Sequence, residues 1–111
     1  MSEEILNWQD GLSRVVNNKN LYAKLLGRFV DGYADLPDKV AAALAEGNVD
    51  DARMHAHTLK GTAANLGAEA LAATALTLED AIKAGQSADA SLVLVRETLS
   101  QTLDAMRAFQ P

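Results

Sequence analysis

From Leu21 to Met106 the apolar residues recur every three or four positions in runs that close on turn signals, and no stretch alternates apolar with polar residues between turns as a half-buried strand would. That period dictates helices. A short N-terminal helix is expected from Ser2 as cap, Glu3 and Glu4 in the first turn, and a stripe of Ile5, Trp8, Leu12 and Val15 or Val16, with a bend or break at Gly11. After the Asn17, Asn18, Asn20 cluster, Leu21, Leu25, Phe29, Tyr33 or Leu36, Val40 and Leu44 step along what reads as the longest helix. Pro37 predicts either a kink there or two shorter helices, and Gly47 and Asn48 end the run. A third helix opens at Asp50 and Asp51, which read as caps, and stops at Gly67; its stripe is Ala52, Ala56, Leu59, Ala63 and Leu66. The next places Leu71, Ala75, Leu78 and Ile82 inward, and the last, capped by Ser87 or Asp89, buries Leu92, Val95, Leu99, Leu103 and Met106. The expected fold is all-α: one domain over residues 1–111, an antiparallel up-and-down four-helix bundle with a short extra N-terminal helix.

Composition narrows the function. The chain has 111 residues, no cysteine and a formal charge of -5. Thiol catalysis and zinc-thiolate sites are excluded, and without a basic cluster nucleic acid is not an expected partner. The most apolar run, Leu71 to Leu78, is too short and alanine-rich to span a bilayer. No glycine-rich nucleotide loop occurs, so any phosphate handled here must arrive on a partner. A cytoplasmic monomer without cofactor or metal is the expectation.

The third helix carries the one unusual pattern, "MHAHTLKGTAANLG" (Met54 to Gly67). At about 100° per residue, His57 points roughly 140° from the buried stripe, with Arg53 and Lys60 within four positions and Gly61 one turn on. A helix-interior glycine costs about 0.5–1 kcal/mol relative to alanine, so a bare Gly61 beside an exposed imidazole needs a reason. A neutral imidazole flanked by cations suits nucleophilic attack on a bulky anionic centre carried by another macromolecule, for which phosphoryl transfer needs mainly positioning and charge stabilisation. Most surface histidines do nothing of the kind; the combination is what argues here. His55 lies near the edge of the stripe and reads as a packing residue. The two histidines are about 200° apart on a helix and cannot chelate one ion.

The segment "AHTLKGTAANLGAEALAATALTLEDA" (Ala56 to Ala81) resembles the signature of histidine-containing phosphotransfer (HPt) domains of multistep two-component phosphorelays. The shared elements are His-x-x-Lys-Gly, the small residue and Leu-Gly that follow, and the later Leu-Glu pair. "NWQDGLSRVVNNKNLYAKLLGRF" also looks like the N-terminal half of such domains, especially those at the C-terminal end of hybrid sensor kinases. The resemblance implies that His57 accepts a phosphoryl group from the aspartate of one receiver domain and donates it to another. It further implies that Lys60 steadies the phosphate, that Gly61 stays bare so a receiver can dock, and that Glu79 accepts a hydrogen bond from the other imidazole nitrogen. Magnesium, on this reading, belongs to the receiver. Arg53 is added from helix geometry alone.

Two other functions fit the same bundle. One is a helical adaptor that binds a partner without being phosphorylated and tolerates loss of His57. The other is a chemotaxis-type phosphoacceptor domain fed directly by a kinase.

Overall fold

A computed structural model describes residues 5–111, all of whose regular structure is helical. The expected cap at Ser2 and the first-turn Glu3 and Glu4 lie outside the described residues. The first helix, α1 (Trp8–Ser13), begins later than expected, because the Asn7 side chain caps it by accepting from the Asp10 N–H at 3.1 Å. Leu12, and Leu6 just before the helix, are the buried apolar anchors of this segment. Trp8, expected in the core, is 39% exposed and lies against Phe109 with ring centroids 6.0 Å apart. Val16 lies beyond the helix, exposed.

The predicted long helix is two: α2 (Lys19–Tyr33) and α3 (Leu36–Ala45). Asn18 caps α2, and Pro37 sits in the first turn of α3, where its missing N–H would have no partner anyway. The buried stripe of α2 is displaced by one residue in its first two turns, from Leu21 and Leu25 to Tyr22 and Leu26, and rejoins the expected one at Phe29. Tyr22, Leu26 and Phe29 point inward, while Leu21 is exposed. Tyr22 fits because its hydroxyl donates to the Leu66 carbonyl at 2.6 Å, leaving no polar atom unpaired.

In α4 (Val49–Asn65) all five expected stripe residues are buried if Leu66, just past its end, is included. Asn48, not Asp50 or Asp51, is the cap; its side chain accepts from the Asp51 N–H, and the two aspartates sit in the first turn, where the helix dipole favours them. The helix ends on left-handed Gly67, φ 87°, with Gly67 N–H donating to Ala64 and Ala68 N–H to Ala63. The inward residues of α5 (Glu69–Lys83) and α6 (Asp89–Ala108) are as expected, and α6 is the longest helix. Ala88 is the N-cap of α6; Ser87 Oγ only accepts a long 3.4 Å bond from Asp89 N–H.

The α2–α3 rod, α4, α5 and α6 form an antiparallel up-and-down four-helix bundle. α4 packs on α3 and α5, α5 on α6, and α6 closes the ring on α2 and α3. Alanines at 52, 56, 63 and 75, all fully buried, permit the close α4–α5 approach. Against one end of the bundle, α1 is fastened by Asn7 N–H donating to the Gly67 carbonyl at 2.8 Å.

Candidate functional site

The site grows from that close α4–α5 pair. His57 and Lys60 occupy the flank of α4 that faces α5, and Glu79 answers them from α5. His57 is the exposed member, its side chain 65% accessible, whereas the Glu79 side chain is only 3% accessible. One Glu79 oxygen lies 3.0 Å from His57 Nδ1, and the other accepts from Lys60 Nζ at 2.9 Å. Lys83, one turn along α5, puts its ammonium 3.7 Å from the first oxygen.

Burial pushes the Glu79 carboxyl up, but the hydrogen bonds from Lys60 and His57 and the charges of Lys60 and Lys83 outweigh it and hold it below its ordinary value. The group is therefore a carboxylate, which only accepts hydrogen bonds. The proton of a neutral His57 ring consequently sits on Nδ1, leaving the lone pair on Nε2. No hydrogen bond engages Nε2 among the described residues.

Around the ring the surface is open. A Cβ added at Gly61 would meet nothing within 4 Å, so the fold itself does not require glycine there. Met54 is exposed, Ala64 half-buried, and Leu76, three residues before Glu79 on α5, is also exposed. Arg53, one turn before His57, is exposed and forms no ion pair among the described residues. His55 is half-buried on the opposite flank, the one it shares with Thr62, whose hydroxyl meets Tyr33 at 3.2 Å. A cavity of about 590 Å³ between α1 and the end of α6, lined in part by Trp8 and Phe109, includes none of these residues.

His57, Lys60 and Glu79 are thus in direct contact, with Gly61 and Arg53 flanking them on α4. Lys83 and Leu76 did not emerge from the sequence. The signal for Lys83 was its i+4 spacing from Glu79, which becomes informative only once Glu79 is known to face α4.

The Hpt domain family model matches residues 24–109. The fold is similar to histidine-containing phosphotransfer protein B of Pseudomonas aeruginosa, with a TM-score of 0.83, 26% identity, and coverage of 96% of this chain and 94% of that one. It is also similar to the HPT domain of a sensor hybrid histidine kinase from Shewanella, with a TM-score of 0.78, 19% identity, and coverage of 93% and 91%. Comparison with curated proteins gives no match. The chain belongs to the Hpt domain family. It is a histidine-containing phosphotransfer carrier of phosphorelays, a class that works with response-regulator receivers and does not act as a kinase. Among the described residues no helix is long and apolar enough to cross a membrane.

Proposed function

We propose that His57 is the phosphoryl acceptor, taking the group through Nε2 from the aspartyl phosphate of one receiver domain and returning it to the aspartate of another. The observation that carries this reading is the 3.0 Å contact between His57 Nδ1 and a buried carboxylate, which fixes the tautomer and leaves a nucleophilic nitrogen on an open surface. Glu79 sets that tautomer. Lys60 supplies positive charge to the phosphoryl oxygens, and Arg53 adds to the cationic rim at longer range. Gly61 keeps the approach clear, while exposed Met54 and the neighbouring Ala64 give the receiver an apolar footing inside that rim.

The chain acts as one phosphotransfer unit over its whole length, as a monomer in the cytoplasm. It is a stoichiometric intermediate with no ATP site or bound cofactor of its own, and the magnesium that transfer needs is held in the receiver's acidic pocket. Incubation with a panel of labelled, phosphorylated receivers tests the reading: wild type acquires an acid-labile label and His57→Gln, whose side-chain amide can still donate to Glu79, acquires none. Label on the variant would place the acceptor elsewhere.

A further inference from the structure

Tautomer selection alone does not explain why Glu79 is charged. A neutral carbonyl acceptor would orient the His57 ring equally well, yet a carboxylate 3% accessible is placed there and compensated from two sides. From α4 it faces His57 and Lys60, and from its own helix Lys83; among the described residues no charged group of α6, the other helix packed on α5, comes within ion-pair distance. Before transfer the imidazole is neutral and gives only a hydrogen bond, so the balancing charge comes from the lysines. Lys60 lies closer, at 2.9 Å against 3.7 Å for Lys83.

The transfer step changes that balance. As the Nε2 lone pair forms the N–P bond, the P–O bond to the receiver aspartate breaks and its electron pair stays on that aspartate's carboxylate. No proton has to move. Nδ1 keeps its hydrogen, and the ring, having donated its lone pair, is formally cationic 3.0 Å from the Glu79 oxygen.

We propose that Glu79 is a positioning residue that exchanges counter-ions during transfer: Lys60 matches its charge before the step, and the cationic phosphorylated ring matches it afterwards, releasing the Lys60 ammonium to the phosphoryl oxygens. Lys83 stays with the carboxylate throughout. The buried charge is then never left bare, and Lys60 is delivered only when there is a phosphoryl group to meet. Return of the group to a receiver reverses each bond change and draws Lys60 back. The scheme rests on His57 as acceptor.

The test uses the full chain with ¹⁵N-labelled histidine and lysine, phosphorylated by phosphoramidate, a small-molecule donor that needs no receiver. In the phosphorylated state the Nδ1–H of wild type should persist to a pH at least about one unit higher than in Glu79→Gln, since an opposite charge in contact favours the cationic ring by about that much or more. Both unphosphorylated proteins should keep the Nδ1–H tautomer. The Lys60 ammonium resonance should move on phosphorylation of wild type while that of Lys83 stays put. Equal Nδ1 midpoints in the two phosphorylated proteins, or a Lys60 resonance that does not move, would overturn the exchange. The lysine readout needs only wild type, so it decides the matter even if the variant fails to fold. Failure of receiver transfer, in contrast, defeats the relay reading and leaves this result standing.

Discussion

Two glycines six residues apart, Gly61 and Gly67, are kept for opposite reasons. At Gly67 the backbone is left-handed, φ 87°, and a Cβ would collide with the carbonyl of Asn7, the residue whose N–H fastens α1 to the α4–α5 turn. Gly11, across the same junction, is equally confined: a Cβ there would lie 2.5 Å from the Leu66 carbonyl oxygen and 2.6 Å from the Tyr22 ring. Around Gly61 there is nothing. The fold demands glycine at the end of α4 and gains nothing from it in the middle. A glycine that its own protein's packing does not explain points outward, to something that must come close.

That contrast can be broken most forcefully at the junction. Gly67→Ala combines left-handed strain with overpacking against Asn7 and should lower the unfolding free energy by about 3 kcal/mol in a urea titration. An unchanged midpoint would mean that the α1 contact is dispensable. Tyr22→Phe removes the hydroxyl that donates to Leu66 and should cost about 1 kcal/mol at neutral pH. The same tyrosine gives the junction a pH signature. Burial, and secondarily the Asp10 charge, push its hydroxyl from 10.0 up to about 12, so the folded state holds the proton more tightly than the unfolded chain. Its contribution is full below pH 10 and is lost as the pH rises through about 12. Wild type should therefore weaken over that window with a slope that Tyr22→Phe lacks. The smallest stability change, and the one of opposite sign, belongs to the middle of the helix. Gly61→Ala should stabilise by about 0.5–1 kcal/mol. Gly61→Gln should also fold normally yet slow phosphoryl exchange with a receiver by about tenfold or more, since a displaced partner loses attack geometry. Normal exchange would show that the bare surface has no docking role.

The same contrast marks what could be read in advance. The α4 stripe was legible because small and branched apolar residues repeat within one window and every one of them is buried. The α2 register was not, because the residue that decides it, Tyr22, is satisfied by a carbonyl 44 positions away. Trp8 was misplaced for a related reason: its partner Phe109 comes from the far end of the chain. At the site, the outward direction of His57 and the oddity of Gly61 followed from helix geometry alone. Glu79 entered only through family resemblance. Locally it is a glutamate beside Leu78 and Ile82 on an amphipathic helix, and only the inter-helical packing turns it inward.

One consequence of the α4–α5 pairing concerns how the protein comes to be folded. His57 and Glu79 are 22 residues apart on two helices joined by a short turn, so their alignment closes a small loop with little entropic penalty and can be set within a single helical hairpin. The register of the reactive pair is thus a property of one hairpin of the chain, and α4 and α5 suffice to set it.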